Sequence, residues 1–500
     1  MSLKRASLIA LTAQVASIVY SLISVPLLLS AYSIELFGIW GLISSLVAYL
    51  SLSNFGIPTA ATVYIANSPI WSNRILIYKK SFRLLLLLIA VVAVILVPAS
   101  GFVQWEIIFG KVTTENIGTA KIAASIMVIG FLLKTPFTIA TAGFAGVQRI
   151  DLTKLYELIN STVTFGCLVG VVKIGGDLVL LAVVTSGASL VVTLIAFIHF
   201  YLAFERVNAG ESALDGGLPS KELLGKSVYF FQAGLASTIV WNTNPFLISH
   251  LIGAEAIPSY TIPQRLFTLA AALVTLVSGL MIPLYARLVA EQNWNRLQRL
   301  YGSLSVILPV ASGAIWVGGA LLCQPIINLW TGKNDLQIDP VLVFFLGAYA
   351  FILSKIHLQI ALLTALNSAR ATANIAWIEA GLNLAIAIPA VYMLGIVGAA
   401  VGTFFAALLG PYILCTKFLR SEGLKDVPLQ RYERLLFVLT VIFACTSFLV
   451  SNLMDGQLWL SVLVGLLLIA TYIVAFVAGI GRNGRHQLSE MLSQLARIAR

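Results

Sequence analysis

The sequence predicts an all-α integral membrane protein of about fourteen transmembrane helices: two six-helix lobes in a pseudo-two-fold repeat, plus two appended helices. Three observations predict it. Of the 500 residues, 59% are hydrophobic and 10% are charged, against about 25% charged in a soluble domain. Fourteen apolar segments reach the roughly 20 residues that a spanning helix needs. The second half also repeats the first at an offset of about 220 residues, polar residues included.

The apolar segments lie at 8–29, 36–64, 82–103, 117–146, 151–172, 177–202, 223–252, 259–288, 299–327, 341–366, 373–393, 396–419, 431–453 and 458–480. The first follows Lys4 and Arg5, as a signal peptide would, but it carries Pro26, precedes no A-x-A site and is echoed at 223–252. It therefore reads as a retained helix. Residues 1–204 form the first lobe and 223–419 the second, with a cytoplasmic linker at 205–222 that contains AGESALDGGLPSKE. Two helices without counterparts occupy 420–481. In the basic tail at 482–500, Leu488, Met491, Leu492, Leu495 and Ile498 fall on one side at helical spacing. That pattern suits a helix on the inner membrane surface, with a disordered tail as the alternative.

The echo includes residues that are rare in apolar surroundings. Lys134 answers Lys355, Arg149 answers Arg370, Glu157 answers Glu379 and Asn160 answers Asn383. Earlier, Gln14, Pro26 and Glu35 answer Gln232, Pro245 and Glu255. Two similar bundles in one chain suit a transporter that binds cargo where the bundles meet.

Lys and Arg set the orientation, because cytoplasmic loops retain them. With the N-terminus inside, inner segments hold 24 of the 31, and the alternation persists along the chain. Both termini are therefore placed in the cytoplasm. The net charge of +11 reflects this topology and not a nucleic-acid surface, since no basic soluble domain is present to carry one. The four cysteines, Cys167, Cys323, Cys415 and Cys445, lack metal-ligand spacing and read as buried, inert thiols. No P-loop, zinc-ligand pair or nucleophile elbow occurs, and no outer loop exceeds about 13 residues. No metal, cofactor or enzymatic activity is expected.

An ammonium near the bilayer centre costs roughly 2.5–3.5 kcal/mol, so it is retained with a use or a partner. Lys134 lies inside segment four and Lys355 inside segment ten. Helical spacing aligns Lys134 with Thr138 and Thr141, and Lys355 with Gln359. These residues read as cavity-lining; snorkelling or pairing with a carbonyl is the alternative. His357 falls about 200° around the helix from Lys355, off that face, and is a candidate for a gate or ion coupling. Arg265 opens segment eight, where a guanidinium suits a phosphate by two parallel hydrogen bonds; an interfacial arginine is the alternative. Gln14, Ser17, Ser21 and Ser24 share one face of segment one and line either a cleft or a helix contact. Glu157 and Glu379 open segments five and eleven near Arg149 and Arg370. Structural salt bridges are the first reading of these four, and a gate or ion coupling the second. The cations within the spans favour an anionic headgroup over a cationic drug.

The run IELFGIWGLISSLVAYLSLSNFGIPTA, with Gly38, Trp40 and the Asn54-Phe55-Gly56 turn, is similar to the first hairpin of a known family. So is GVQR at 146–149, entering a helix with Asn160. With the six-plus-six echo and two extra helices, the chain resembles the polysaccharide-transporter branch, the O-antigen flippases, of the multidrug/oligosaccharidyl-lipid/polysaccharide (MOP) exporter superfamily. The resemblance implies a MATE-like V-shaped transporter with alternating access. Its implied cargo is a polyprenyl-pyrophosphate-linked oligosaccharide, moved from the inner to the outer leaflet of a bacterial cytoplasmic membrane. Arg265 resembles an arginine of the cationic cleft of lipid II flippases. The expected partners are that lipid-linked oligosaccharide, membrane lipids and a polysaccharide polymerase. The rival functions are a MATE-type drug/cation antiporter, and a membrane-embedded glycan polymerase or ligase.

Overall fold

A computed structural model of the chain describes residues 3–68, 70–102, 104–205, 220–333, 336–366, 368–422, 430–451, 453 and 458–479. Residues 206–219 of the expected linker and the expected surface helix at 482–500 lie outside the described residues. No strand occurs among the described residues. Eleven helices among them are long and apolar enough to cross a membrane, so the chain is a multi-pass, all-α membrane protein.

The backbone divides into two compact units, Met1–Pro258 and Ser259–Arg500. The first holds α1 (Leu3–Ala31), α2 (Ile34–Leu50), α3 (Ile57–Asn67), α4 (Trp71–Phe102), α5 (Trp105–Phe109) and α6 (Thr114–Lys134). It continues with α7 (Ile139–Gly146), α8 (Ile150–Lys173), α9 (Leu178–Phe200) and α10 (Ser220–Leu251). From α11 (Ile257–Ala290) onward the second unit holds α12 (Trp294–Thr331), α13 (Pro340–Ala365), α14 (Ala369–Leu394) and α15 (Ile396–Ala407). Its last elements are α16 (Ile413–Ser421), α17 (Gln430–Ser451) and α18 (Leu458–Gly479).

Three of the expected segments are broken, each for a local reason. Segment 36–64 divides at a turn where Asn54 Oδ1 accepts from Gly56 N at 2.9 Å. Phe55 and Gly56 there take φ of 49° and 69°, a left-handed conformation that glycine adopts most readily. Segment 117–146 tightens into a 3-10 turn at Thr135–Thr138, where Pro136 supplies no N–H to an α-helical ladder. Segment 396–419 widens into a π-helical turn at Leu408–Tyr412 around Pro411.

In the first unit α1 packs on α8, α8 on α9, α9 on α6, and α3 on α4 and α7. Aromatic rings fill the core among α3, α4, α7 and α9. Tyr78 and Phe200 lie 4.4 Å apart, and Phe144 meets Phe200 edge-on at 5.2 Å. A Cβ at Gly143 would stand 2.7 Å from the Phe200 ring. The helix α10 corresponds to segment seven, the start of the expected second lobe, and here it packs on α2, α3 and α5 within the first unit. It is held by a Tyr49–Thr243 hydrogen bond, by the Ser249 hydroxyl donating to Phe109 O, and by Lys111 Nζ donating to Leu251 O at 2.7 Å.

Within the second unit α12 packs against α13, α17 and α18. Gly313 leaves room for Tyr472, whose hydroxyl lies 2.9 Å from Thr440 Oγ1. Close approach of α14 and α15 depends on Gly398 and Gly402, which sit against the backbone of Ala390 and Ala387. Cys323 and Cys415 are buried as expected, whereas Cys445 is exposed on α17 and Cys167 is partly exposed. The apolar surroundings of a spanning segment hide a cysteine from water without hiding it from lipid.

Candidate functional site

Five helices of the first unit, α1, α2, α6, α8 and α9, line a cavity of about 360 Å³. Ser17, Ser21 and Ser24 enter it from one face of α1, at the spacing of successive helical turns. Trp40 comes from α2, Phe131 and Lys134 from α6, Ser161, Thr164 and Phe165 from α8, and Thr185, Ser186 and Ser189 from α9. Tyr20 also lines it, with its ring stacked on Phe165 at 4.6 Å.

Lys134 is the last residue of α6, directly before the 3-10 turn at Thr135–Thr138. Its Nζ donates to Ser189 Oγ at 3.1 Å and stands 5.9 Å from the centre of the Phe131 ring. No carboxylate is among the described residues that line the cavity, so Lys134 gives it a positive sign. Several hydroxyls donate to carbonyls one turn back: Thr164 to Asn160 O at 2.7 Å, Thr185 to Leu181 O at 2.6 Å, and Ser186 to Ala182 O. Such bonds occupy the hydroxyl proton and leave oxygen lone pairs as acceptors.

A second chamber of about 210 Å³ shares Ser17 and Ser161 with the first and adds Ala13, Gln14, Lys154, Glu157 and Asn160. Here Lys154 Nζ and Glu157 Oε2 pair at 2.7 Å. Asn160 Oδ1 is buried without a hydrogen-bond partner.

The remaining expected residues fall elsewhere. Thr138 is not among the residues lining either chamber; the 3-10 turn removes it from the α-helical register of Lys134, and its hydroxyl donates to Thr135 O at 2.6 Å. Lys355, in the second unit, pairs with Glu433 Oε2 at 2.5 Å and lies 5.1 Å from the Tyr412 ring centre. Both side chains of that pair are largely buried, 12% and 19% exposed. Gln359 is buried and donates from Nε2 to Thr416 Oγ1 at 2.8 Å. Arg265 and His357 are half-buried in the second unit.

The expected bridge between Arg149 and Glu157 gives way to two local pairs at the start of α8. Arg149 holds Asp151 through two bonds of 3.0 Å, and Glu157 takes Lys154. The hydrogen bonds it donates to Asp151, reinforced by that carboxylate's charge, raise Arg149 above its ordinary range. Asp151 stands closer along the chain than Glu157 and captures the guanidinium first. Neither Glu379, half-buried on α14, nor the exposed Arg370 forms an ion pair among the described residues.

Sequence reasoning missed Ser189, Phe131 and Tyr20 as neighbours of Lys134, and Glu433 as the partner of Lys355. An acidic residue just inside the segment at 431–453 was the available signal for Glu433. Nothing in the spacing distinguishes Ser189 from other serines. Among the described residues, no group of three or more His, Cys, Asp and Glu is placed to hold a metal.

The fold is all-helical and multi-pass, with a polar cavity among the helices of its first unit. Residues 3–289 match the family of polysaccharide biosynthesis proteins, and the chain belongs to that family. Its fold is shared with transporters of the MOP superfamily. An inward-facing multidrug resistance MATE family transporter aligns with TM-score 0.67 at 15% identity, over 82% of this chain and 96% of that one. The lipid II flippase MurJ, in an inward closed conformation, aligns with TM-score 0.67 at 15% identity, over 95% of this chain and 100% of its own. A Pyrococcus furiosus MOP superfamily transporter, described as having a binding pocket of reverse polarity, aligns with TM-score 0.60 at 14% identity, over 84% and 96%. No curated protein matches the chain by sequence.

Proposed function

We propose that the protein is a flippase that moves a polyprenyl-pyrophosphate-linked oligosaccharide, an O-antigen or related surface-polysaccharide repeat unit, from the inner to the outer leaflet of a bacterial cytoplasmic membrane by alternating access. The observation that carries this function is the sign of the first unit's cavity, where Lys134 faces hydroxyls with no carboxylate among the lining residues. A cationic drug gains nothing from such a site, whereas a pyrophosphate gains a charge-assisted hydrogen bond. Family membership and the shared fold of a lipid II flippase favour the same cargo class.

In this function Lys134 and Ser189 hold the pyrophosphate, the glycan lies along the serine face of α1, and the prenyl chain stays in lipid. Both termini stay in the cytoplasm, and a polysaccharide polymerase takes the exported unit. No covalent change to the cargo is required.

Complementing a strain that lacks the protein with Lys134→Gln tests the proposal. Surface glycan is expected to be lost at normal protein levels; normal surface glycan would overturn the assignment. Altered drug tolerance with intact surface glycan would indicate an antiporter. Single repeat units accumulating on the outer face would indicate a polymerase or ligase.

A further inference from the structure

The two adjoining chambers of the first unit differ in charge. The larger carries Lys134 without a lining carboxylate. The smaller contains both Lys154 and Glu157, already paired at 2.7 Å, so its charge is balanced. A second phosphate gains little there, because its approach to Lys154 is opposed by Glu157. A neutral ligand meets no such conflict.

The smaller chamber is also rich in groups that both donate and accept. Gln14 and Asn160 each carry an amide oxygen and an amide NH₂, Ser17 offers a hydroxyl, and Ser161, whose proton goes to Glu157 O at 2.9 Å, offers an acceptor oxygen. A pyranose ring presents adjacent hydroxyls that likewise donate and accept, which is the complement of this set. The Asn160 Oδ1 atom is buried without a partner, so a ligand in the chamber reaches it when the amide turns toward the chamber. Glu157 Oε2 takes Lys154 and leaves the other carboxylate oxygen as an acceptor.

Position adds a third argument. Gln14 and Ser24 lie on the same helix, about 15 Å apart at 1.5 Å per residue. Ser17 and Ser161 belong to both chambers, so a ligand held at Lys134 can extend past them into the smaller one.

We infer that the chamber of Gln14, Glu157 and Asn160 is a monosaccharide subsite that recognises the sugar attached directly to the pyrophosphate, and that it sets the cargo selectivity of this lobe. The inference rests on the proposed binding of pyrophosphate at Lys134. Lys154 neutralises Glu157 and positions it, while Gln14 and Asn160 read the hydroxyls of the ring from opposite walls, α1 and α8.

Binding to the full-length protein in detergent tests this. The probes are geranyl pyrophosphate alone, and geranyl pyrophosphate bearing a single glucose, galactose, N-acetylglucosamine or N-acetylgalactosamine. In the wild-type protein, at least one sugar-bearing probe is expected to bind about 10-fold more tightly than the sugar-free one, the gain of one well-placed hydrogen-bonded group. That ratio should fall toward one in Asn160→Leu and in Gln14→Leu. The two variants lie on different helices, so a folding defect in one does not decide the result. Equal affinity of wild-type protein for all five probes, or a ratio preserved in both variants, overturns the subsite. Undiminished binding of sugar-free geranyl pyrophosphate by Lys134→Gln would instead remove the phosphate site on which the subsite rests.

Discussion

Lys355 and Glu433 form an ion pair at 2.5 Å that joins α13 to α17, one of the two helices outside the repeat. Its echo in the first unit, Lys134, has no such partner and donates instead to Ser189 at 3.1 Å. Two lysines at matching places in the repeat therefore have different uses. The appended helices supply the counter-charge that fixes Lys355, and the first unit keeps its ammonium facing a cavity.

Removing the carboxylate from this pair should destabilise the second unit. Glu433→Gln leaves the Lys355 ammonium largely buried without a counter-charge, at a cost of about 3 kcal/mol. Thermal unfolding in detergent should show a clearly lowered midpoint for Glu433→Gln. The double variant Lys355→Met with Glu433→Leu should recover most of the loss, since it removes both charges. Equal melting of Glu433→Gln and wild type would mean that the pair holds nothing together.

Helix packing in the second unit should be intolerant at one glycine, in contrast with a glycine of the first unit that tolerates change. A Cβ at Gly398 would stand 2.1 Å from the Ala390 carbonyl, which is backbone and cannot turn aside. Gly398→Ala should therefore yield little monodisperse protein in size-exclusion chromatography. Gly166, on α8, has nothing within 4 Å of its ideal Cβ. Gly166→Ala should behave as wild type, or gain up to about 1 kcal/mol from helix propensity. Equal yields from the two variants would show that α14 and α15 are not packed as described.

Trp40 provides an optical reporter, because its side chain lines the cavity that contains Lys134. Geranyl pyrophosphate should change the tryptophan emission of the wild-type protein in a saturable manner. In Trp40→Phe most of that change should vanish. Persistence of the full change in the variant would place the ligand near another tryptophan.

Much of the fold was legible because composition and period constrain membrane helices strongly. Among the described residues each expected segment falls mainly on helix, from 8–29 within α1 to 458–479 along α18, and eleven helices are long and apolar enough to span a membrane. The breaks were harder to see. Asn54-Phe55-Gly56 was visible as a turn, yet the apolar run passed through it without interruption, and Pro136 acts on hydrogen bonding and not on hydropathy. Lys134 stood out because an ammonium is costly in an apolar segment. Ser189 did not, because serine is cheap anywhere along a spanning helix, and its importance comes from α9 lying beside α6. Glu433 was hidden by distance, since it lies 78 residues from Lys355 and outside the repeat.

The most direct measurement is translocation by reconstituted protein, with the native lipid-linked glycan extracted from the source cells and followed across proteoliposome bilayers. A charge-assisted hydrogen bond contributes about 1.5–3 kcal/mol, so Lys134→Gln should slow transfer by about 10- to 100-fold. Lys134→Arg should keep a substantial part of the rate. Transfer by Lys134→Gln at the wild-type rate, in protein that folds normally, would contradict the placement of the pyrophosphate in the first unit's cavity.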